Sequence, residues 1–402
     1  MKLQSAFLIC VAAIIALGVA AAIVFMPQGE SAPAFDPSAP LPVRIEQVAS
    51  TRMAELGRVP GLVIGVQIGD TEPVTLALGV ADEESGDPMT VDHVFRVASA
   101  TKPMLGVVAL RLAEEGVIDL DATIDKHLPD VPGGDRVTVR MLGNNSAGYF
   151  DAIASEAFRA AINTEPDRLW TAQEILGFAL AEPLTLEAPG EGWSYSNTNS
   201  VVLGEVIRAA TGEHWLASLR RLVMEPLALD SVGVEEGGLG VDGVAPAGLP
   251  SGYRHARRDS GIQYGDVFID ATAYSPSWAG ASGSMYADVH DLLKSAEAVL
   301  GGTMLAVVLQ GLQRVWIDTG YSSSAGLFST PQTIYYGFQI GKRTIQGRDW
   351  LGHPGDVPGF SCFYGYQPET RTSLVVLCNL SNTPQKLNPA EEVAEAVMSA
   401  LP

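Results

Sequence analysis

The pattern of apolar and polar positions divides the chain into two kinds of segment. Residues 43–56 have the spacing of an amphipathic helix, and residues 62–68 alternate apolar and β-branched side chains as a strand does. A second strand-like run covers residues 74–80. Strand patterns return after Tyr335, in the runs YYGFQIG, GFSCFYGY and SLVVLCNL, and a closing helix is predicted at 389–401. Both ends of the folded chain therefore contribute strands.

The middle of the chain has a helical pattern instead. Residues 103–112, PMLGVVALRL, are apolar on nearly every side, which predicts a helix buried at the centre of a domain. Helical spacing also occurs at residues 200–211, 214–224 and 289–300. The glycine- and proline-rich residues 237–252 indicate a surface loop.

These patterns predict an α/β fold of the α+β kind. We expect an antiparallel sheet built from both chain ends and flanked by helices, with a mostly helical lobe, about residues 104–300, inserted in it. Pockets form where such parts meet, so the active site is predicted at the seam between the sheet and the lobe.

The first 42 residues differ in composition from the rest. Lys2 is followed by an uncharged run at residues 6–26, which is long enough to cross a bilayer as a helix. We predict that residues 1–26 are a signal anchor or a cleaved signal peptide, with the anchor favoured by the length of the run. Residues 27–42 contain five prolines and are predicted to be a linker to one folded domain at 43–402. The expected location is extracytoplasmic, either periplasmic or membrane-anchored through the N-terminal helix.

Charge and motif content narrow the function. The chain carries 25 Lys and Arg against 46 Asp and Glu, a formal net charge of -21, which repels phosphate backbones and argues against nucleic acid as a partner. The six histidines have no metal-ligand spacing, and the sequence contains no H-E-x-x-H, P-loop or dinucleotide-binding glycine motif. We therefore expect no metal and no cofactor, and a small molecule or a peptide as the substrate.

Candidate chemistry begins with Ser99-Ala-Thr-Lys102, at the start of the buried helix. A spacing of three residues places the hydroxyl and the amine on one face of the first turn, as a serine nucleophile and its base require. Taken alone, the pattern also fits an N-cap serine with a solvent-facing lysine. The almost wholly apolar helix favours the first interpretation, because an idle ammonium is unfavourable to bury there.

Two further motifs lie on predicted turns. Tyr195-Ser-Asn197 places a phenol and an amide two positions apart, which suits proton transfer and hydrogen bonding to a substrate amide. His353-Pro-Gly355 precedes the GFSCFYGY strand, where a glycine lets a substrate backbone approach the strand edge. Each also has an ordinary interpretation, a hydrogen-bonded turn for the first and a structural histidine for the second.

The order S-x-x-K, Y-x-N and H-x-G resembles the class C β-lactamase, D-alanyl-D-alanine carboxypeptidase and esterase branch of the serine β-lactamase and penicillin-binding protein superfamily. The resemblance covers about residue 43 to the C-terminus and is carried by the segments FRVASATKPM, PGEGWSYSNTNSVVLGEVIRAATGE, GHPGDVPGF, DLDATIDKHLPDV, MEPLALDSVG and AGASGSMYADVHDLL. It implies a serine hydrolase that cleaves ester or amide bonds through an acyl-enzyme. Ser99 would be acylated, Lys102 would be its base, and Tyr195 would assist proton transfer.

The resemblance also implies a substrate-binding role for four positions. Asn197 would hold the substrate, and His353, where many relatives have lysine, would close the hydrogen-bond network around the catalytic tyrosine. The backbone N–H of Asp356, the residue after Gly355, would form the oxyanion hole together with the N–H of the nucleophile.

The sequence departs from the family pattern at two places, and the first of them bears on the substrate. Pro354 stands where relatives commonly have Thr or Ser, so a hydroxyl that helps bind a substrate carboxylate is missing. Residues 145–148, Asn-Ser-Ala-Gly, replace the usual His-Thr-Ser-Gly. Because Asp356 and the net charge of -21 also oppose anions, we predict that neutral esters or amides are better substrates than β-lactams or D-alanyl-D-alanine peptides. An arginine elsewhere, such as Arg254, Arg257 or Arg258 in the loop after Gly252, is the alternative source of a contact to anions.

Two alternative functions stay open at this stage. One is a D-alanyl-D-alanine carboxypeptidase or β-lactamase of the same family. The other, from a different class, is a non-hydrolytic sensor that binds cell-wall fragments in the same cleft. Turnover separates the sensor from the enzymes.

The cysteines of the C-terminal strands leave a second question open. Cys362 and Cys378 lie on two strand-like runs whose midpoint falls at Thr370, in a predicted turn, so they would face each other across a hairpin. An exported location permits a disulfide. Two buried free thiols are the equal alternative.

Overall fold

The computed structural model describes residues 35–239, 243–258, 262–323 and 332–402. The predicted signal segment at 1–26 and the first part of the predicted linker lie outside this part of the chain. Within the ranges given, no helix combines the length and the apolar character needed to cross a membrane. The first helix begins at Leu41, so the last two residues assigned to the linker belong to this helix instead.

The regular elements alternate along the chain between helices and strands. The α-helices are α1 (Leu41–Leu56), α2 (Thr101–Glu114), α3 (Val139–Gly143), α4 (Glu156–Thr164), α5 (Ala172–Ala179), α6 (Asn197–Thr211), α7 (Trp215–Leu219), α8 (Glu225–Leu227), α9 (Val289–Val299), α10 (Val307–Gln313) and α11 (Pro389–Ala400). The strands are β1 (Gly61–Ile68), β2 (Val74–Gly79), β3 (Phe95–Arg96), β4 (Gly233–Val234), β5 (Tyr253–Arg258), β6 (Ile262–Asp270), β7 (Met285–Ala287), β8 (Ile317–Ser323), β9 (Gln332–Tyr336), β10 (Gly341–Ile345), β11 (Arg348–Val357), β12 (Phe360–Gln367) and β13 (Thr372–Cys378). A π-helical turn at Arg220–Met224 joins α7 to α8, and short 3-10 segments occur at Ala98–Ala100, Ile124–Lys126, Ala152–Ala154 and Pro276–Ser282.

The large sheet is antiparallel, and its described strands follow the order β2-β1-β13-β12-β11-β10-β9-β8. β1 lies between β2 and β13, with Leu62 opposite Cys378 and Ile68 opposite Thr372. β12 and β13 are buried along their whole length, which their continuous apolar sequences explain. The prediction of an antiparallel sheet built from both chain ends and flanked by helices is confirmed.

A separate apolar cluster covers each face of the sheet. On one face α1 and α11 pack on each other in a cluster that includes Ile45, Ile64 and Val397. The larger cluster on the other face includes Val63 and Val375 together with the helices from the middle of the chain. The alternation along β1 explains this division, since adjacent strand residues face opposite sides of the sheet.

The middle of the chain is mostly helical, and residues 101–110 of α2 are all buried at its centre. It also contains strands that the sequence pattern did not predict. β3, β7 and β4 form a small sheet, and β5 and β6 form a hairpin. The expectation of a loop after Gly252 is therefore wrong, because Arg254 lies on β5 together with the backbone of residues 257 and 258. The run YRHARR is too polar for apolar alternation to reveal it as a strand.

Cys362 and Cys378 are buried free thiols. Across β12 and β13, Cys378 is opposite Ser361 and Cys362 is opposite Leu377, one residue away from the pairing expected from the turn. Since a shift of one residue reverses the face, Cys362 packs in the larger cluster and Cys378 packs in the cluster with α1 and α11. The disulfide alternative is wrong, because the two side chains point to opposite faces of the sheet.

Candidate active site

Ser99 lies in the 3-10 turn that leads into α2. The preceding residue, Ala98, has a φ of 50°, a left-handed conformation that is uncommon for a residue with a side chain and that turns the chain sharply. Val97 N–H donates to the carbonyl of Met285 at 3.0 Å, and the Thr101 hydroxyl donates to the carbonyl of Ala98 at 2.7 Å. Ser99 is partly exposed although its neighbours in the chain are buried, so its hydroxyl faces the cleft.

Lys102 is fully buried in the first turn of α2. Its Nζ lies 3.0 Å from Ser99 Oγ, 2.8 Å from Asn197 Oδ1 and 2.9 Å from the carbonyl oxygen of Ser282. Burial lowers the pKa of Lys102 from 10.5 to about 7, although two nearby carboxylates favour the charged form. Near neutral pH, a substantial fraction of this amine is therefore unprotonated.

The partners of the Lys102 amine decide where its lone pair points. Asn197 Oδ1 and the Ser282 carbonyl oxygen only accept hydrogen bonds, so each must receive an N–H. A neutral amine has two N–H groups, and these two contacts use both. The lone pair is then left for the third partner, the Ser99 hydroxyl, so the amine is placed to accept the proton of Ser99.

Asn197 is held in the required orientation by Asp151, a residue that the sequence analysis did not identify. Asn197 Nδ2 donates to Asp151 Oδ2 at 3.1 Å, which leaves Oδ1 facing Lys102. Asn197 is the first residue of α6, and Asp151 also accepts the N–H of Ile153 at the start of a 3-10 turn. Burial raises the pKa of Asp151, although these hydrogen bonds and the nearby Lys102 oppose the rise. No sequence motif marks Asp151, since only the fold brings it to Asn197.

Tyr195 places its hydroxyl on the cleft side of Ser99. The two oxygens are 3.2 Å apart, and the Lys102 amine lies 5.0 Å from the centre of the Tyr195 ring. Burial raises the pKa of Tyr195 well above its ordinary value, so the phenol keeps its proton. Tyr195 is therefore placed as a proton donor, whereas Lys102 has a pKa suited to a base.

His353 differs from the expectation that it closes the hydrogen-bond network around Tyr195. Its Nδ1 lies 2.5 Å from the carbonyl oxygen of Pro354, which can only accept, so the proton is assigned to Nδ1. The ring contacts Tyr195 and Tyr336, with centroids at 6.0 Å and 5.9 Å. Burial and the charge on Lys102 lower the pKa of His353 to about 3, which keeps the imidazole neutral. His353 thus supplies an uncharged aromatic surface beside Tyr195.

β11 borders the cleft with an edge that β10 leaves open. Among the described strands, β10 pairs only with residues 348–352 of β11, and the Ser99 turn packs beside the following residues. A Cβ at Gly355 would lie 2.6 Å from the Val97 oxygen and 2.8 Å from the Ser99 nitrogen. Glycine is required here for the approach of the protein's own Ser99 turn, whereas the sequence pattern predicts the approach of a substrate backbone.

Two carboxylates are among the residues that line the rest of the cleft, a cavity of about 440 Å³. Asp356 is exposed on β11, and Glu391 extends from the first turn of α11. Asn388, the N-cap of α11, donates through Nδ2 to the carbonyl of Gly355 at 2.9 Å, which ties the helix to the strand edge. Pro354 lines the same cavity without a hydroxyl. Sequence reasoning missed Asn388 and Glu391, because nothing in the pattern of a closing helix indicates that its start reaches the site.

Arg254 lies in an adjoining cavity of about 890 Å³ that meets the cleft at Asp356 and Val357. Its guanidinium donates to the hydroxyl of Tyr274 at 2.8 Å and lies 4.4 Å from the centre of that ring. The side chains of residues 257 and 258 lie outside the described part. Of the three arginines predicted as a contact to anions, Arg254 is the one whose side chain is described. It lies in this adjoining cavity, whereas Pro354 lines the cleft itself.

Taken together, four of the predicted residues meet in direct contacts and three line the adjoining strand edge. The first group is Ser99, Lys102, Tyr195 and Asn197, and the second is His353, Gly355 and Asp356. Within the described ranges, no group of three or more His, Cys, Asp or Glu is arranged to hold a metal ion. A nucleophile, a neutral amine and a protonated phenol at this spacing suit the transfer of an acyl group to a serine.

Comparison with known proteins agrees with this chemistry. A family model described as Beta-lactamase matches residues 45–398. Esterase EstB of Burkholderia gladioli is 29% identical over 290 residues, which cover 65% of this chain and 71% of that protein. A D-aminopeptidase of Brucella anthropi is 25% identical over 356 residues, which cover 85% of this chain and 59% of that protein.

Solved structures share the fold over most of the chain. The crystal structure of a D-amino acid amidase from Ochrobactrum anthropi SV3 in complex with D-phenylalanine superimposes with a TM-score of 0.76 at 26% identity. The match covers 90% of this chain and 98% of the amidase chain.

Proposed function

The chain belongs to the beta-lactamase family of serine hydrolases, and we propose that it hydrolyses ester or amide bonds through an acyl-enzyme on Ser99. One observation carries the proposal: the buried Lys102 amine gives its N–H groups to two carbonyl oxygens and meets the Ser99 hydroxyl at 3.0 Å. An amine with a pKa of about 7 accepts a proton readily near neutral pH, which an exposed lysine does not.

Acylation begins when Ser99 Oγ attacks the carbonyl carbon of the substrate. The hydroxyl proton passes to Lys102 Nζ as the new C–O bond forms, and the carbonyl electrons move onto oxygen. We assign the stabilisation of this oxyanion to the backbone N–H groups of Ser99 and Asp356, which belong to the two segments that meet at Gly355. Removal of one such donor typically slows an enzyme by about 100- to 1000-fold.

The tetrahedral intermediate then collapses and expels the leaving group. The carbonyl double bond re-forms, the bond to the leaving oxygen or nitrogen breaks, and Tyr195 donates its phenolic proton to the leaving atom. Tyr195 in turn regains a proton from the Lys102 ammonium, so the phenol and the amine both return to their starting states. Water attacks the acyl-enzyme by the same steps in reverse, which releases the acid and restores Ser99.

We further propose that the natural substrates lack a carboxylate next to the scissile bond. Asp356 and Glu391 line the cleft, and Pro354 offers neither a hydroxyl nor an N–H. This combination disfavours D-alanyl-D-alanine peptides and β-lactams, because a carboxylate would meet the Asp356 side chain with no hydroxyl at Pro354 to bind it, and Arg343 is already paired with Glu391. It is compatible with the activities named for the relatives, an esterase, a D-aminopeptidase and a D-amino acid amidase.

The acyl-enzyme is tested by covalent labelling. A fluorophosphonate probe is expected to label the wild-type protein and to leave Ser99→Ala unlabelled. Ser277→Ala is the matched control, because Ser277 is buried and is hydrogen-bonded to Arg168 and Trp170. Equal labelling of the wild type and Ser99→Ala contradicts the proposal.

Turnover then distinguishes the hydrolase from a sensor of cell-wall fragments. The hydrolase releases the acid from a short-chain nitrophenyl ester in repeated cycles, whereas a sensor stays acylated for hours. Steady-state kinetics also test the substrate class. A higher kcat/KM for a D-alanyl-D-alanine peptide or a cephalosporin than for the nitrophenyl ester contradicts the proposal that carboxylate substrates are disfavoured.

We also propose that the domain is exported. The support is the uncharged run at residues 6–26 after Lys2, followed by the proline-rich segment. Fractionation of cells that produce the full chain, with mass spectrometry of its N-terminus, tests the location and distinguishes an anchor from a cleaved signal peptide. Recovery of the intact chain from the cytosol contradicts this proposal.

A further inference from the structure

A second cavity adjoins the cleft on the far side of Tyr195 from Ser99. It has a volume of about 330 Å³ and shares Tyr195, His353 and Pro354 with the cleft. Its other walls come mainly from large apolar side chains on β9, β11 and β12, namely Ile334, Tyr336, Trp350, Leu351 and Phe363, and from Trp193. We call this cavity the aromatic pocket.

The wall that separates the aromatic pocket from Ser99 is built of rings. Trp193 and Tyr336 lie 5.7 Å apart between centroids, and Tyr195 lies 6.3 Å and 6.2 Å from them. Tyr336 and His353 meet edge to face at 5.9 Å. The neutral state of His353 adds an uncharged ring to this wall, so the pocket presents aromatic faces next to the catalytic phenol.

The cations at the border of the aromatic pocket are already paired. Lys342 Nζ lies 3.3 Å from Asp349, and Arg343 is buried against Glu391 and Glu395. The Thr319 hydroxyl donates to the carbonyl of Ile334 at 2.6 Å. The pocket therefore offers apolar and π surface to a ligand, and an anionic ligand would compete with carboxylates that are in place.

The position of Tyr195 tells which part of a substrate enters the aromatic pocket. Tyr195 is the group that protonates the leaving atom, so the atoms attached to that atom extend past the phenol. The acyl chain is then left with the opposite side of the cleft, past Asp356, where a cavity lined by Arg254 and Tyr274 adjoins it. This assignment rests on the proposed function, because it follows from the roles of Ser99 and Tyr195.

We propose that the aromatic pocket is the leaving-group subsite and selects esters of bulky apolar or aromatic alcohols. In the step concerned, the bond between the carbonyl carbon and the alcohol oxygen breaks, its electron pair stays on that oxygen, and Tyr195 supplies the proton. The neutral alcohol then leaves through the pocket, and the acyl group stays on Ser99.

The test compares two esters that share one acyl group, ethyl butyrate and benzyl butyrate. Both give the same butyryl-enzyme, so deacylation is identical and any difference in kcat/KM arises while the alcohol is still attached. In the wild type, kcat/KM is expected to be at least about tenfold higher for benzyl butyrate. Ile334→Trp fills the pocket and is expected to lower this benzyl-to-ethyl ratio about tenfold.

Two controls keep the result specific. Thr333→Trp adds the same side chain at the neighbouring exposed position of β9 and is expected to leave the ratio unchanged. A second series fixes ethanol and compares the acetyl with the phenylacetyl ester, whose ratio Ile334→Trp is expected to leave unchanged. Thermal unfolding checks that each variant is folded.

The outcomes separate this inference from the proposed function. A benzyl-to-ethyl ratio near one in the wild type overturns the subsite. The subsite is also overturned if Ile334→Trp changes the ratio between the phenylacetyl and acetyl esters and leaves the benzyl-to-ethyl ratio unchanged. In both cases hydrolysis and fluorophosphonate labelling of Ser99 persist. If the wild-type protein shows neither labelling nor hydrolysis of any ester, the proposed function itself is refuted, and the subsite with it.

Discussion

Two basic residues, Arg96 and Lys102, lie three positions before and after Ser99, and their buried side chains have different kinds of partner. Arg96 and Lys102 are 3% and 0% exposed, so both are removed from solvent. Arg96 donates to both oxygens of Glu235, at 2.7 Å and 3.0 Å, and to the carbonyl of Thr272 at 2.8 Å. In the described part of the chain, the hydrogen-bond partners of the Lys102 amine are all uncharged.

The difference lies in the partner as much as in the residue type. An arginine keeps its proton in a protein, and a bidentate carboxylate compensates its charge. Lys102 has the amide of Asn197 between itself and Asp151, so the carboxylate acts on it only from a distance. A buried cation with a carboxylate partner fixes structure, whereas a buried amine with carbonyl partners is available as a base.

The largest effect is expected from a substitution of Lys102. Lys102→Met keeps the side-chain volume but removes the base, so acylation of Ser99 is expected to slow by about a thousandfold. Stability near neutral pH is expected to change little, because the substitution removes the cost of a buried amine whose pKa is about 7 when folded against 10.5 when unfolded, but leaves the Asn197 and Ser282 carbonyl oxygens without a donor. The cost of the buried amine is full below about pH 7 and disappears as the pH rises towards 10.5.

Stopped-flow acylation and thermal unfolding measure the two effects of Lys102→Met. Lys126→Met is the control, because Lys126 is exposed. A variant with near-normal acylation would place the base elsewhere, and a strongly lowered melting temperature would make Lys102 a structural residue.

At the ion pair of Arg96 and Glu235, the expected effect is on stability and not on the pH dependence of catalysis. Glu235→Ala leaves Arg96 buried and without its carboxylate, which is expected to lower the free energy of unfolding by about 3 kcal/mol or more. The pH dependence of kcat/KM is expected to stay as in the wild type. Denaturant unfolding measures the loss, and Glu165→Ala is the control, since Glu165 is exposed. A shift in the pH profile would mean that Arg96 and Glu235 tune the site electrostatically.

The wild-type pH profile reports the titration of Lys102. Its pKa of about 7 means that the amine is protonated at lower pH and no longer accepts the Ser99 proton. We expect kcat/KM for a neutral ester to fall about tenfold per pH unit below that value and to level off above it. A profile that is flat between pH 5 and pH 8 contradicts Lys102 as the titrating base.

Asp151 provides the smallest and most selective change. Asp151→Asn removes a negative charge that raises the pKa of Lys102, so the acid limb of kcat/KM is expected to move to lower pH. The substituted amide loses the fixed acceptor of Asn197 Nδ2, so the plateau is expected to fall as well. Asp121→Asn at the exposed Arg140 pair is the control. An acid limb that moves to higher pH contradicts the assigned sign.

The sequence predicted the parts of this site that are local in the chain. Ser99 with Lys102, and Tyr195 with Asn197, are recognisable because a short spacing sets their relative geometry. Asp151, Glu235 and Asn388 carry no such signal, because each meets its partner, Asn197, Arg96 or Gly355, through contacts between distant segments.

The fold shows the same limit at two places. Apolar alternation revealed the strands of the large sheet but not the polar hairpin of β5 and β6. The register of β12 and β13 depends on the geometry of their turn, and one residue of difference put Cys362 and Cys378 on opposite faces. The apolar pattern of a single segment identifies it as a helix or a strand. The register between strands and the partners of side chains can be read only from the folded chain.

The pairing of β1 with β13 also orders the events of folding. During synthesis β1 and β2 emerge long before β13, and two strands alone are at best marginally stable. Contacts of such long sequence separation form late and slowly. The strand edge at Gly355 and the Ser99 turn are also far apart in the sequence, so we expect the reactive serine to be assembled late in folding.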